Sequence, residues 1–182
     1  EYGEKSPFPY FVDHSDPALV EATRRGRLEE FAHLKQQSHI PDPADEATFG
    51  CAKLDWMARE GGRHALTLSY YRELIRLRKE LVAMECLGRT SVAVAGYEEE
   101  RVLVVRYWSA DCDAASVFHF GRQPVSIELP FPEGRWSKRL DSAEARWDGP
   151  GSSLPAQFVS KDGVRLVLAA ESVSLYDRVK GG

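Results

Sequence analysis

The 182-residue sequence lacks several features that mark whole classes of protein. It has no run of about 18 apolar residues and no charged-then-apolar N-terminal segment, so neither a transmembrane helix nor a secretory signal is indicated. Lysine and arginine total 24 against 28 acidic residues, and this net charge of −4 leaves no basic surplus for nucleic acid or anionic membranes. We therefore expect a soluble, cytoplasmic protein that binds neither nucleic acid nor membrane.

Cysteine is scarce, and its spacing argues against two further kinds of site. The three residues Cys51, Cys86 and Cys112 are odd in number, far apart and never arranged as CxxC. Such spacing argues against a disulfide framework and against a zinc site. We therefore predict three small buried thiols, with no metal ion and no cofactor.

Methionine is also rare, and the first residue is Glu1 rather than Met. The methionines present are Met57 and Met84. Because translation starts with Met, we expect the chain to be a portion of a longer protein. With 182 residues and 43% hydrophobic content, it is long enough for one domain and part of another.

The clearest periodic pattern lies in residues 63–84 and predicts a long amphipathic helix. Apolar residues recur every three or four positions along one side, and three further residues widen the stripe. The stripe contains Leu66, Tyr70, Leu74, Leu77 and Leu81, and the widening positions are Tyr71, Ile75 and Val82. Because the opposite side is charged, we expect a half-buried helix whose stripe packs against the β portion, the preceding helix or a second copy of the chain.

Loops and shorter helices precede this helix. Residues 1–16 contain two prolines among aromatic residues, which predicts a loop because proline fixes φ and lacks a backbone donor. Asp16 before Pro17 predicts a helix start. Helical spacing then continues to Leu34, and Gly26 leaves open either a kink or two short helices.

A connection and a short helix complete the first half. Residues 36–45 read as a connection, with the turn-forming pair Asp42 and Pro43. Asp45 is the predicted cap of a short helix within residues 45–56, before two glycines at 61 and 62 interrupt the chain.

The sequence after Cys86 changes to short β-branched and aromatic runs separated by turn residues, a pattern typical of antiparallel strands. The predicted strands are residues 101–108, 115–120, 125–129, 135–140, 164–169 and 172–176. Pro124 and Pro130 bracket the third strand, which predicts an edge position. Residues 148–153 predict a loop. We expect a β-sandwich over about residues 87–179.

Six carboxylates in the first half are candidates for acid–base chemistry, because glycosidases place two carboxylates astride a sugar bond. They are Glu1, Glu4, Asp13, Asp16, Asp42 and Asp45. Asp16 and Asp45 are better explained as helix caps, and Asp42 as a turn former. Glu1, Glu4 and Asp13 stay open between loop hydrogen bonding and substrate contact.

The histidines favour structural roles. His14 follows Asp13, yet no serine or cysteine lies in a nucleophile elbow, which argues against a catalytic triad. Four other histidines are isolated, and we interpret them as surface or satisfied core residues: His33, His39, His64 and His119.

Two further patterns also have a simple structural interpretation. Residues 111–113 carry two aspartates but lack the additional ligands of a calcium loop, so they predict a hairpin turn. The four tryptophans suit either stacking on carbohydrate or core packing, and we expect core packing. They are Trp56, Trp108, Trp136 and Trp147.

Three ordered blocks within the first 84 residues are specific enough to indicate a family. They are EYGEKSPFPYFVDHSDPALVEATRRGRLEEF, PDPADEATFGCAKLDW and YYRELIRLRKEL. Together they resemble the C-terminal part of the malto-oligosyltrehalose trehalohydrolases, which are glycoside hydrolases of the α-amylase family. A helix of this kind followed by a β domain is common to many α-amylase relatives and identifies only the wider family.

The resemblance implies an α+β fragment in two parts. Residues 1–85 would be the last loop and helices of a (β/α)8 barrel, and residues 86–182 an all-β antiparallel sandwich domain. Members of the family release trehalose from malto-oligosyl trehalose by hydrolysing the adjacent α-1,4 bond, using two aspartates and a glutamate. Those residues belong to motifs after earlier barrel strands that this sequence lacks. No catalytic residue is therefore carried over, and we expect the segment alone to be inactive.

The resemblance also implies that residues 1–16 form a barrel loop at the rim of the substrate cleft. The residues expected to contact substrate are Glu1, Tyr2, Glu4, Phe8, Phe11, Asp13 and His14. The expected partners are malto-oligosyl trehalose or maltodextrin, the rest of the barrel and, through the apolar helix face, a second copy. The alternative is a carbohydrate-binding or purely structural accessory domain of another α-amylase relative.

Overall fold

A computed structural model describes residues 1–32, 40–87, 91–110 and 112–179. The described residues form two compact units, the first ending at His64 and the second beginning at Ala65. The helices are α1 (Pro17–Glu30), α2 (Glu46–Cys51) and α3 (Gly62–Ala83). The strands are β1 (Val92–Tyr97), β2 (Val102–Trp108), β3 (Asp113–His119), β4 (Val125–Leu129), β5 (Gly134–Asp141), β6 (Gln157–Ser160), β7 (Val164–Leu168) and β8 (Ser172–Val179).

The two short helices of the first unit begin at the predicted caps. The carboxylate of Asp16 accepts a hydrogen bond from the backbone N of Ala18 at 2.8 Å, and Pro17 occupies the first turn. Asp45 caps α2 in the same way, through the backbone N of Ala47. Both caps are confirmed, and α1 runs through Gly26 as one helix.

The end of α1 differs from the prediction where it can be compared. The helix ends at Glu30, whereas helical spacing predicted a continuation to Leu34. Residues outside the described ranges include Leu34, His33, His39 and the first part, 36–39, of the predicted connection 36–45. The described part, residues 40–45, holds no helix or strand, as predicted.

Helix α3 is confirmed to within one residue at each end, and its apolar residues divide into two sets. Leu77 is buried, and neighbours from the same stripe pack with it against one cluster of the β unit. That cluster contains Cys86, Cys112, Ala114, Leu140 and Leu175, with Tyr70, Leu74, Leu81 and Met84 packed against it. The second set is 37–55% exposed and comprises Leu66, Tyr71, Ile75 and Val82. Burial of the whole widened stripe was therefore predicted wrongly, because the side of α3 that carries Tyr71, Ile75 and Val82 faces away from the cluster that Leu77 joins.

Two antiparallel sheets make up the β portion of the second unit. The larger has the strand order β1-β2-β3-β8-β5-β6, and the smaller pairs β4 with β7. One buried cluster draws on both sheets, with Val104, Val117, Trp136 and Tyr176 from the larger and Ile127, Leu129, Leu166 and Leu168 from the smaller. The prediction of an antiparallel β portion after α3 is confirmed.

All six predicted strands are present, and β1 and β6 were missed. Strand β1 reads VAVAGY, and its alanines and glycine have low strand preference. Strand β6 has only four residues. The edge position predicted from Pro124 and Pro130 is confirmed, because β4 pairs with β7 alone. Residues 148–153 lie between β5 and β6 and outside any helix or strand, as predicted.

The cysteine prediction was wrong. Cys86 and Cys112 form a disulfide, and Cys51 is exposed rather than buried. The end of α3 packs beside the hairpin of β2 and β3, which brings together two thiols that are 26 residues apart. Sequence spacing alone does not reveal that neighbourhood.

In the part of the chain that the structure describes, no helix combines the length and the apolar content that crossing a membrane requires. The predicted domain boundary between residues 85 and 86 stays a prediction. Most of α3 packs with the β strands inside the second compact unit.

Candidate functional site

The loop at the start of the first unit is organised by the carboxylate of Glu4. The buried Tyr2 donates its hydroxyl hydrogen to Glu4 Oε2 at 2.5 Å. The backbone N atoms of Lys5 and Ser6 donate to Oε1 at 2.7 and 2.8 Å, and that of Asp55 donates to Oε2 at 2.9 Å. Glu4 therefore ties the loop to the segment after α2.

These hydrogen bonds fix the protonation states of both side chains. The Tyr2 hydroxyl and the backbone N–H groups lower the pKa of Glu4 to about 2, since they stabilise its charged form. The same hydrogen bond raises the pKa of Tyr2 to about 12. Glu4 is therefore ionised at neutral pH and has no proton to donate as a general acid.

The first residues of the loop are anchored from a second side. The backbone O of Tyr2 lies 2.8 Å from Nδ1 of His64, and the Tyr2 ring lies 6.1 Å from that of Trp56. Gly3 has φ +73°, a conformation that favours glycine. Further along the loop, the backbone N of Val12 donates to a carbonyl at 2.8 Å.

An open cleft of about 640 Å³ lies beside this loop, and we call it the aromatic cleft. Its lining residues are Phe8, Pro9, Tyr10, Phe11, Arg27, Phe49, Ala52 and Lys53. The Phe8 side chain is 99% exposed, Tyr10 is 51% exposed and Phe49 is 48% exposed. The cleft therefore presents several aromatic rings to solvent, which is unusual for surface residues that have no ligand or partner.

Cations lie against two of these rings. The guanidinium carbon of Arg27 is 5.0 Å from the ring centroid of Tyr10, and Nζ of Lys53 is 5.1 Å from that of Phe49. Phe11 and Phe49 pack at 5.3 Å between centroids. Apolar ring faces beside N–H donors suit a ligand that has both apolar faces and hydroxyl groups, such as a sugar ring.

The predicted contact residues occupy three different environments. Phe8 and Phe11 line the aromatic cleft, and Phe11 lines an adjoining cleft of about 360 Å³ together with Asp13. Tyr2 and Glu4 belong to the hydrogen-bonded cluster described above. The remaining two, Glu1 and His14, are exposed and are not among the lining residues of these two clefts.

Six residues that line the cleft were missed by sequence reasoning, and four of them have aromatic or charged side chains. Tyr10 lies in the same PFPYF run as Phe8 and was overlooked although its context was available. Arg27, Phe49 and Lys53 come from α1 and from the α2 segment, so only the packing of these elements brings them to the loop.

The other acidic candidates have the structural roles that were predicted. Asp42 accepts from the backbone N of Ala44 at 3.0 Å, which confirms it as a turn former. It also accepts from Nε of Arg24 at 2.9 Å, a hydrogen bond that lowers the pKa of Asp42. Asp113 was predicted to lie in a hairpin turn, but it is the first residue of β3, where it is buried and pairs with Arg106 at 2.8 Å.

Metal binding finds no support in the described ranges, since they hold no group of three or more His, Cys, Asp or Glu placed to bind an ion. Asp111 of the predicted hairpin turn lies outside them. His119 is buried with Nδ1 2.6 Å from the backbone O of Ala169, which confirms it as a satisfied core residue.

The tryptophans are divided between core and surface. Trp136 is fully buried, and its Nε1 donates to the backbone O of Pro132 at 3.0 Å. Trp147 packs edge-on against Tyr70, and Trp108 is half-buried. Core packing was the wrong prediction for Trp56, which is 56% exposed because it lies on the loop cluster rather than under a sheet.

Comparison with curated proteins shows which enzymes this chain is related to. The chain is 45% identical over 169 residues to the malto-oligosyltrehalose trehalohydrolase of Arthrobacter ramosus, covering 85% of this chain and 26% of that protein. The chain is a relative of the malto-oligosyltrehalose trehalohydrolases. The trehalohydrolase of Rhizobium sp. (strain M-11) is 37% identical over 131 residues, covering 71% of this chain and 21% of its own length. The chain thus spans about a quarter of the trehalohydrolases that it matches, and no protein-family profile matches it.

A solved structure shows the same fold. The crystal structure of a candidate alpha amylase from Salmonella typhimurium superposes with a TM-score of 0.68 and 23% identity. The superposition covers 98% of this chain and 27% of that one. The recognised resemblance to the trehalohydrolases is therefore confirmed in sequence, and the chain shares its fold with part of an α-amylase-like protein.

Proposed function

We propose that this chain is the C-terminal part of a glycoside hydrolase that releases trehalose from malto-oligosyl trehalose by cleaving the adjacent α-1,4-glucosidic bond. The observation that carries the proposal is the 45% identity over 169 residues to a named trehalohydrolase. In this proposal the chain supplies one wall of the substrate cleft and the all-β domain. The carboxylates that break the bond belong to the remainder of the enzyme.

The aromatic cleft supports a substrate-binding role for the first unit. Four exposed rings and two cations, all from the loop, α1, α2 and the residues that follow α2, offer ring faces and N–H donors to a glucosyl residue. Such contacts bind substrate and transition state alike, so they act mainly on KM. We assign Phe8 and Phe11 to this contact and keep Glu1, Asp13 and His14 as rim candidates.

The hydrogen bonding of Glu4 supports assigning catalysis to residues in the remainder of the enzyme. Its carboxylate accepts hydrogen bonds from four donors and has a pKa of about 2, so it is neither a proton donor nor a free nucleophile at neutral pH. Its role in the proposal, with Tyr2, is to hold the loop that carries Phe8.

A chimera tests this proposal in the context of a whole enzyme. The matching region of the Arthrobacter ramosus trehalohydrolase is replaced by this chain, and trehalose release from maltotriosyl trehalose is measured. We expect the folded chimera to release trehalose and the isolated 182-residue chain to release none. The unmodified Arthrobacter enzyme serves as the positive control.

Either of two results would overturn the proposal. Turnover by the isolated chain would mean that the bond-breaking carboxylates are within it. A chimera that folds, as judged by circular dichroism and cooperative unfolding, but hydrolyses maltodextrins without releasing trehalose would place the chain in another branch of the α-amylase relatives.

A further inference from the structure

The β unit carries a groove of its own, formed around the end of β3. It has a volume of about 480 Å³, and we call it the β3 groove. Its lining residues are Phe118, His119, Phe120, Ser142, Glu171, Ser172 and Val173. None of these residues takes part in the aromatic cleft.

Two parallel aromatic rings form one side of the β3 groove. Phe118 and Phe120 lie two positions apart, so both point to the same face of the sheet. Their rings are 5° from parallel with centroids 6.3 Å apart, and Phe120 is 60% exposed. Phe118 sits in register between Leu103 of β2 and Val173 of β8, and Phe120 follows the last residue of β3, where its backbone N donates to the backbone O of Arg101 at 2.9 Å.

The backbone beside the rings is closely constrained. The backbone N of Glu171 donates to the backbone O of Gly121 at 2.9 Å. Glu171 has φ +46°, a conformation that non-glycine residues rarely adopt and that often marks a functional position. A Cβ at Gly121 would lie 2.4 Å from Nε2 of His119, so only glycine fits there.

Hydrogen-bond acceptors line the rest of the groove. His119 is 3% exposed, and its Nδ1 must carry the proton because its partner, the backbone O of Ala169, can only accept. In the neutral imidazole, Nε2 is then an acceptor. Ser172 donates to the same carbonyl at 2.7 Å, which leaves the lone pairs of its Oγ for a ligand.

The charged side chains that line the β3 groove indicate which class of ligand it can bind. The lining residues include one carboxylate, that of Glu171, and no lysine or arginine, which disfavours phosphate or another anion. Aromatic faces beside acceptors favour a neutral ligand that has apolar faces and donates from hydroxyl groups.

We propose that the β3 groove is a second carbohydrate site, which binds an α-1,4-linked glucan segment on the rings of Phe118 and Phe120. The choice of an α-glucan rests on the proposed function, whereas the choice of a sugar rests on the groove itself. The site would hold a long substrate or a storage glucan away from the position where the bond is cleaved.

The 182-residue chain is titrated with maltoheptaose, and backbone amide shifts are followed by NMR. We expect the amides of residues 118–121 and 171–173 to shift, and Phe120→Ala to abolish those shifts. Val159→Ala removes a 65% exposed side chain from β6 and is the matched control, which should leave the shifts intact. Phe8→Ala distinguishes binding at the aromatic cleft from binding at the β3 groove, because this variant should leave the amide shifts at the β3 groove unchanged.

Absence of shifts at these amides with millimolar maltoheptaose would overturn the inference. Equal shifts with cellohexaose, a β-1,4 glucan, would overturn the assignment to an α-glucan. If the isolated chain binds maltoheptaose but the folded Arthrobacter chimera does not, the rest of the enzyme covers the groove. This result would also overturn the inference. If the chimera still releases trehalose in each case, the proposed function stands and only this inference fails.

Discussion

Cys86 and Cys112 form a disulfide that ties the end of α3 to the start of β3. Both residues are buried, at 0% and 4% exposure, within the cluster that packs α3 against the sheet. The link therefore fixes the one long helix of the chain to its β domain at the point where the two elements meet.

Removal of this disulfide should lower the free energy of unfolding. For a separation of 26 residues, the chain-entropy view gives about 3–4 kcal/mol. The comparison is the Cys86→Ala, Cys112→Ala double variant against the native chain in urea unfolding. Cys51→Ser is the control, because Cys51 is exposed and should change little. Equal midpoints for the double variant and the native chain, or labelling of all three cysteines by iodoacetamide in the denatured, unreduced chain, would contradict the disulfide.

Truncation of a side chain should change the free energy of unfolding very differently on the two sides of α3. Leu77 is 3% exposed, so Leu77→Ala should destabilise the chain by about 2–5 kcal/mol, through lost burial and a cavity. Ile75 lies on the same helix but is 46% exposed, so Ile75→Ala should cost no more than about 0.5 kcal/mol. Urea unfolding of both variants measures the contrast. Similar losses for the two would mean that the exposed side of α3 is also covered.

Features set by neighbouring residues were predictable from the sequence. The caps Asp16 and Asp45 follow from side-chain hydrogen bonds to a backbone N two residues on, and residues 125–129 follow from flanking prolines that cannot extend a sheet. Such features need no knowledge of the rest of the fold. The same holds for α3, whose pattern spans six turns.

Features set by packing between distant segments were not predictable. The disulfide joins residues 26 apart, and Phe49 reaches the aromatic cleft only because α2 packs beside the loop. Periodicity placed Ile75 at the margin of the apolar stripe of α3, but it could not tell that Ile75 itself lies away from the cluster that Leu77 joins. A pattern shows which residues can be buried, and the surrounding elements decide which are.

The Tyr2–Glu4 hydrogen bond should make the loop sensitive to pH at both extremes. The pKa of Glu4 falls from 4.5 to about 2, so its stabilisation is present above pH 4.5 and lost as the pH falls toward 2. The pKa of Tyr2 rises from 10.0 to about 12, so the contribution of its proton is present below pH 10 and lost as the pH rises through 12.

NMR titration of the Glu4 carboxyl carbon measures the acid side. We expect Tyr2→Phe to raise the pKa of Glu4 toward its ordinary value, because the largest stabilising hydrogen bond is gone. Tyr10→Phe is the control, since Tyr10 lies half-exposed on the same loop. A native Glu4 that titrates near pH 4.5 would show that the hydrogen bond does not form in solution.

The exposed apolar side of α3 should cause the isolated chain to self-associate. Tyr71, Ile75 and Val82 lie within about 40° of one another around the helix axis and are 43–55% exposed, a surface that water disfavours. Analytical ultracentrifugation over a range of concentrations should show a monomer–dimer equilibrium, and Ile75→Asp should shift it to monomer. Val159→Asp places the same charge on β6 as a control. A native chain that stays monomeric throughout would exclude this surface as a self-association site.

The aromatic cleft should affect substrate binding more than turnover. Within the Arthrobacter chimera, Phe8→Ala and Phe49→Ala should each raise KM for maltotriosyl trehalose about 3- to 10-fold with little change in kcat, because one aromatic contact is worth about 0.5–1.5 kcal/mol. Leu19→Ala removes a 46% exposed side chain from α1, outside the cleft lining, and should leave KM unchanged. If Phe8→Ala lowered kcat and left KM unchanged, the ring would act on the transition state rather than as a binding surface. If neither variant changed either constant, the cleft would have no contact with substrate.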